Sequence, residues 1–492
     1  MFPGRASRSE IGVNGATRNG HLIEWKTTSI SAIDATLECV CGDVTCVVTG
    51  GVHPRDNAAM DFAHSPRAQD LRQRLEAFMQ RYLLPYNAAW HASVQGGTYP
   101  PPFLEDLKAL AREEGLWNLF LPTLGAHEPG TCLSNLDYAP LAEIMGRLHW
   151  APEVFNCSAP DTGNMELLHR FANPHQRTQW LNPLLNGDIR SAFAMSEPDV
   201  ASSDPTNLQT TVRREGEQLV LNGRKWFITG VAHPQCRLLI VMCRNATQAD
   251  DTDDSGAHHQ HSMVLVPLDT PGVQVVRNIS VVHHHSPEGH CEIVLRDVRV
   301  SADHLLGDWG AGFAMAQARL GPGRVHHCMR AIGQCELALE LATERTLERQ
   351  AFGKYLSDFS NVQDWIAESR MEIDQARLLV LQVAWMLDQP AGVVAPGALR
   401  AQVAAIKVVA ARLQSRVVDR AMQVFGAMGL SPDTPLAFFW TWGRALHLMD
   451  GPDEVHLRTV ARHELAQGRQ RAGATAAYFT TPEQLLAPPR IR

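Results

Sequence analysis

Residues 448–457, LMDGPDEVHL, crowd Asp450, Asp453 and Glu454 around a Gly-Pro step. Proline is favoured at the first position of a helix, where its missing N–H is no loss. PDEVHLRTVARHEL therefore reads as a helix starting at Pro452. Asp453 and Glu454 then fall in its first turn, where the helix dipole stabilises negative charge by about 0.3–1 kcal/mol. Asp450 lies just ahead of that helix and is free to point into a cleft. A carboxylate so placed can accept a proton, and an apolar cleft would raise its basicity by desolvation.

Three further stretches carry polar or aromatic groups in suggestive patterns. In AFAMSEPDVASSDPTNL, 192–208, turn-forming residues leave backbone N–H groups and hydroxyls that could bond a polar ring edge or a phosphate. NGRKWFITG, 222–230, reads as a strand with adjacent aromatics, and strand alternation sends Trp226 and Phe227 to opposite faces. RLGPGRVHH, 319–327, places Arg324 at the start of a helix, after Gly321, Pro322 and Gly323. No metal site is expected. Cys39, Cys41 and Cys46 match no closed tetrahedral set, HHHSPEGH at 283–290 offers successive residues that do not converge on one ion, and QADDTDDSGAHHQH at 248–261 reads as a solvated insertion between strands.

The elements that must position these residues come in three blocks. From 61 to 190 the pattern is helical, as in RAQDLRQRLEAFMQRYLL and PPFLEDLKALAREEGL. Between 191 and 305 short β-type runs such as QLVLNG, CRLLIVMCR and CEIVLRDVRV alternate with turn clusters, which predicts a small antiparallel barrel or sandwich. From 306 to 470 long periodic helices return, and 471–492 is a tail. Residues 1–60 lack a sustained helical period and read as a disordered or non-native extension, with Met60 as the expected start. The formal charge of −8, in a chain of 492 residues that is 45% hydrophobic, offers no basic field for nucleic acid, and no apolar run approaches the roughly 20 residues needed to cross a bilayer. The cysteines are scattered otherwise and fit a reducing compartment.

SEPDVASSD, NGRKWFITG and ERQAFGKYL (348–356), in this order and spacing, resemble the acyl-CoA dehydrogenase flavoproteins over about residues 61–470. The form EPDVASSD with DGPDEVH is most similar to the branch whose animal members carry an additional kinase-like domain. The resemblance implies a mostly α fold with an N-terminal helical domain, a middle β domain and a C-terminal four-helix bundle, and FAD as cofactor. It implies that Phe193, Met195 and Ser196 address the flavin ring edge, with Phe227 packing on the ring where many relatives have Trp and Thr229 beside it, which leaves Trp226, on the opposite face of the strand, for the core. Ser203 would lie between the flavin pyrophosphate and the thioester. Arg324, with Gly321 and Gly451, would contact substrate. Arg349 and Phe352 match the pair that reaches a flavin in the neighbouring subunit. Gln423 and Gly426 match the loop holding the same cofactor, and Pro452, Asp453 and Glu454 the segment near its adenosine end, so the site requires a homodimer or homotetramer.

Counting on from Gln423, the family's base lands on Asp450. Most members have Glu there, so the reach is shorter by one methylene, and a misplacement of about 1 Å can cost roughly a hundredfold in rate. The activity implied is α,β-dehydrogenation of an acyl-CoA to the trans-2-enoyl-CoA, with Asp450 as base and electrons passed to an electron-transfer flavoprotein. A nitroalkane oxidase-like flavin oxidase of the same fold is the nearest rival, and a relative that associates with nucleic acid is a more distant one. Arginine-heavy, lysine-poor usage, with Lys26, Lys108, Lys225, Lys354 and Lys407 the only lysines, leans towards a bacterial cytosol over a mitochondrial matrix.

Overall fold

The computed structural model describes residues 37–41, 44–48, 61–125, 127–246 and 260–480. By its contacts the chain divides into two units, Met1–Ala58 and Ala59–Arg492. In the first, β1 (Leu37–Cys41) and β2 (Val44–Val48) form an antiparallel hairpin with Cys39 opposite Cys46. The rest of the expected extension, the insertion up to residue 259 and the tail beyond 480 lie outside the described residues.

Among the described residues the second unit opens with eight α-helices: α1 (Pro66–Phe78), α2 (Asn87–Gln95), α3 (Leu104–Glu113), α4 (Asn135–Gly146), α5 (Ala151–Val154), α6 (Asp161–Phe171), α7 (Pro174–Gln176) and α8 (Asn182–Asn186). The start of α1 follows from local chemistry, because Ser65 Oγ accepts the Ala68 N–H at 3.1 Å and Pro66 opens the first turn. Its Ala68, Leu71, Leu75 and Phe78 form one buried stripe.

The β domain comprises β3 (Arg190–Ala194), β4 (Thr211–Glu215), β5 (Gln218–Thr229), β6 (Cys236–Asn245), β7 (His261–Pro267), β8 (Val273–Asn278), β9 (His290–Ser301) and β10 (Leu305–Leu306). The expected barrel or sandwich is one eight-stranded sheet, ordered β10-β7-β6-β4-β5-β9-β8 with β3 beside β6. It is antiparallel except where β3 and β4 run parallel to β6. The continuous apolar run of β6 has a clear cause. Leu238, Ile240 and Met242 pack into the helical core, whereas Leu239, Val241 and Cys243 pack into the β core. A strand buried on both faces has no polar side to show.

The C-terminal helices are α9 (Gly312–Glu348), α10 (Ser360–Leu387), α11 (Pro396–Phe425), α12 (Leu436–Leu446) and α13 (Asp453–Gln470), with the small hairpin β11 (Gln350–Ala351) and β12 (Lys354–Tyr355) joining α9 to α10. Arg324 does not open a helix. α9 is 37 residues long and runs straight through Gly321-Pro322-Gly323. Proline removes one backbone hydrogen bond, but Met315 and Ala316 before it and Val325, Cys328 and Met329 after it are buried in the same core, so tertiary packing carries the helix across. α9 crosses α4 at a glycine contact. A Cβ on Gly333 would lie 1.8 Å from Glu143 O, which leaves room for hydrogen only. α9 and α11 run side by side in the same direction, as the pairs Cys328–Ile406, Gln334–Gln414 and Arg345–Phe425 show.

Candidate active site

Where the three domains meet, a cavity of about 1890 Å³ opens. Phe193, Met195, Ser196 and Ser203 line it from β3 and the loop that follows, and Phe227 and Thr229 from β5. Arg324 lines it from α9, and Asp450, Gly451 and Pro452 from the turn between α12 and α13. Residues separated by more than half the chain thus converge at a domain junction, a common place for a ligand pocket.

Asp450 sits on left-handed backbone, φ +55°, a region that Asp tolerates better than most side chains. Its carbonyl oxygen accepts from Arg324 Nε at 2.9 Å and lies 3.2 Å from His456 Nε2. Gly451 follows at φ +104°, where a Cβ would meet His456 Nε2 at 3.0 Å. These contacts fix the turn, and the Asp450 carboxylate is left beside His327, with 3.5 Å between Oδ2 and Nε2. Burial pushes this carboxyl up, but His327, Arg319, Arg324 and Lys407 together outweigh burial and hold it below the usual range. The expected rise in basicity is therefore reversed, because the cleft floor is cationic. Pro452 is the N-cap of α13 and the helix begins one residue later, at Asp453. Asp453 Oδ2 is 2.7 Å from His447 Nδ1, so this carboxylate is held by a side chain in addition to the dipole, while Glu454 is exposed.

The β wall departs from strict alternation. The pairing of β5 with β9 slips between Lys225 and Ile228, and Phe227 takes φ +52°. Such a bulge cancels the two-residue period. Trp226, expected in the core, consequently lines the cavity next to Phe227, their rings 5.0 Å apart and inclined at 69°. Trp226 N–H donates to Ser196 O at 3.0 Å, which ties the bulge to the loop after β3. Beneath it Lys225 is wholly buried and donates to Met195 O, Glu197 Oε1 and Met242 O at 2.9, 2.9 and 2.7 Å. Glu197 also accepts the N–H groups of Gln209 and Thr210. Thr229 Oγ1 lies 3.0 Å from His290 Nδ1, and His290 Nε2 is buried with no protein partner.

Residues 65–188, 192–298 and 310–465 match the N-terminal, middle and C-terminal domains of acyl-CoA dehydrogenase. The chain is 51% identical over 420 residues to the probable acyl-CoA dehydrogenase FadE2 of Mycobacterium tuberculosis, covering 84% of this chain and 99% of that one. The chain belongs to the acyl-CoA dehydrogenase family.

Human acyl-CoA dehydrogenase family member 11 is 42% identical over 85% of this chain, which spans 53% of that longer protein. A solved putative acyl-CoA dehydrogenase from Mycobacterium abscessus is 47% identical, with a TM-score of 0.77 over 82% of this chain and 99% of its own. Butyryl-CoA dehydrogenase from Megasphaera elsdenii, 25% identical, superposes with a TM-score of 0.68 over 82% of this chain and all of its own. The expected order of domains is therefore established, and with it an acyl-CoA dehydrogenase activity. Among the described residues no helix is long and apolar enough to cross a membrane, and no three His, Cys, Asp or Glu side chains form a metal-binding group.

Not every expected site residue reaches this cleft. Arg349 caps the far end of α9, and Phe352 follows on left-handed backbone, 99% exposed. At about 1.5 Å per residue, Arg349 is roughly 37 Å along the helix from Arg324. Gln423 and Gly426 are exposed at the end of α11, which Arg345 over the Phe425 ring places beside the end of α9. Gly321 does not line the cavity, although its neighbour Gly323 does. Sequence reasoning missed Lys225, Lys407, Arg319 and His327. Arg319 lies over the Phe193 ring at 4.1 Å, and its Nε donates to Asn164 Oδ1 at 2.9 Å. A signal for the lysines existed. In a chain that uses arginine almost everywhere, a lysine marks a place where a point charge fits and a guanidinium does not. Lys407, fully buried, donates to Leu446 O under the Asp450 turn.

Members of this family use FAD. The residues present suit it: a buried imidazole nitrogen without a partner, two aromatic rings on a bulge, and the hydroxyls of Ser196 and Thr229 share one wall of the cavity.

Proposed function

We propose that the chain dehydrogenates an acyl-CoA thioester between its α and β carbons, with Asp450 as the base. The observation that carries this reading is the Asp450 carboxylate held at the cavity surface by a turn whose carbonyl is bound from two sides. Asp450 removes the proton from the carbon next to the thioester carbonyl, and the trans-2-enoyl-CoA is the product. FAD, when bound, supplies the acceptor for the hydride that leaves the β carbon. A carboxylate held acidic by its neighbours is a weak base for a C–H bond, so the carbonyl must be polarised. Among the described residues the backbone N–H of Asp450 has no protein acceptor, which leaves it for the thioester oxygen.

Phe193, Met195, Ser196, Phe227 and Thr229 would hold the flavin from the β domain, with Trp226 added to that wall. Ser203, Arg324 and Gly451 would contact the thioester side, while Gly321 would act only through the course of α9. Arg349, Phe352, Gln423 and Gly426 would serve the site of a neighbouring copy, because the length of α9 keeps them from their own. Pro452, Asp453 and Glu454 would place the adenosine end. A planar guanidinium such as Arg349 pairs well with pyrophosphate through two donors. The enzyme would act as a homo-oligomer that passes electrons to an electron-transfer flavoprotein. Anaerobic addition of acyl-CoAs of graded length to the yellow protein tests the reading. Bleaching with one length class is expected, whereas peroxide formed from nitroethane with no bleaching by any thioester would replace the dehydrogenase with an oxidase.

A further inference from the structure

The reading of Asp450 as base leaves one close neighbour without a role. His327 lies on the cavity side of α9, one turn beyond Arg324, with Nε2 3.5 Å from Asp450 Oδ2 and Nδ1 3.2 Å from an Arg330 NH2 nitrogen. A guanidinium can only donate, so Nδ1 must be the acceptor and the imidazole proton must sit on Nε2, facing Asp450. Burial, with Arg330, Lys407 and Arg319 close by, drives this imidazole down and keeps it neutral, although Asp450 opposes the trend. Arg330 is itself anchored, through NH1 to Cys157 O at 3.4 Å. At 3.5 Å the Asp450 contact is a long one, so the imidazole steadies the carboxylate without locking it.

We propose that His327 is a positioning residue for Asp450, its tautomer set by Arg330, so that one carboxylate oxygen is held by Nε2–H while the other faces the α carbon. This rests on Asp450 being the base. No proton passes onward through the imidazole. The substrate proton ends on Asp450, and His327 keeps the same single proton before and after, because a second one on Nδ1 would meet the guanidinium. The arrangement also offsets a shorter side chain, since a carboxylate steadied from behind loses less in alignment.

The test uses the flavin-loaded enzyme, with anaerobic flavin reduction followed across pH in the parent, H327L, H327Q and D450N. Leucine removes the donor, whereas glutamine can place an amide N–H near the Nε2 position. In H327L the acid limb of the saturated rate should move up by about one pH unit, because the carboxylate has lost a donor that favours its charged form. Its limiting rate should fall about tenfold, with the substrate concentration for half-saturation changed less than about threefold. H327Q should restore both the limb and most of the rate. An unmoved acid limb in H327L, or an H327Q as impaired as H327L, overturns the proposal. D450N separates the two ideas: if it reduces flavin at the parent rate the base itself is misassigned, and if it is inactive while H327L matches the parent, only the role of His327 falls.

Discussion

The two ends of α9 make different demands on the same helix. At the cleft end, Arg324 and His327 meet a carboxylate from the same chain, and charge, backbone and cavity are all supplied locally. At the far end, Arg349 is exposed, and Phe352 presents a whole aromatic ring to solvent on left-handed backbone. An exposed ring on strained backbone has no return within one copy of the chain, whereas Asp450 on equally left-handed backbone is locked by its neighbours. The contrast is what the proposed function requires: one end would be a finished half-site and the other would contribute to the site of a neighbouring copy.

Four experiments can break or sharpen that contrast. The largest effect belongs to Asp450→Asn, which should slow flavin reduction by acyl-CoA by about a thousandfold while leaving flavin content and thermal stability near the parent values. A rate within tenfold of the parent would make the cleft end no more than structural. Next comes Gly333→Ala between the two ends. The added methyl would press on Glu143 O and cost about 3 kcal/mol in denaturant unfolding, since backbone cannot be displaced cheaply. At the far end, Phe352→Asp should weaken self-association by about 2 kcal/mol, seen by sedimentation, and release flavin in parallel. Retained flavin in a monomeric variant would show that the far end serves no second copy.

The smallest effect concerns pH. His326 is buried against Tyr138 and Phe120, its ring 4.9 and 6.2 Å from theirs, with both nitrogens unpartnered. Burial, reinforced by Arg330 and His327, lowers it to about 3. Unfolded, it titrates near its usual value, about 6.5, so below that pH the unfolded chain takes up a proton the folded one refuses, and stability drains as pH falls towards 3. His326→Phe should shift the acid-unfolding midpoint down by about half a pH unit with little change above pH 7. An unchanged midpoint would mean that other buried groups, such as His149, control acid stability.

Much of this was legible in the residues. Period and turn chemistry placed β5, β6 and β9 within a few residues of where they form, and the motif order located the cleft strands and the Asp450 turn. The start of α13 was off by one residue, because Pro452 serves as cap and not as first helical residue. Trp226 was misplaced for a different reason. Alternation holds only while register holds, and the slip between β5 and β9 is a property of two strands, not of one. Arg324 was misread because Gly-Pro-Gly is a local stop signal that buried residues on both sides overrule.

By itself the sequence determined what short-range physics can encode: which segments are helix or strand, that Asp450 precedes a helix, and that the net charge is acidic. Only the tertiary structure decided that the Asp450 carbonyl meets Arg324, that Arg330 sets the tautomer of His327, and that Lys225 ties three segments together beneath the aromatic wall. The reason is range. A residue's period reports on neighbours within a turn or a strand pair, whereas the charge felt by Asp450 comes from residues that chain folding alone brings within a few ångströms.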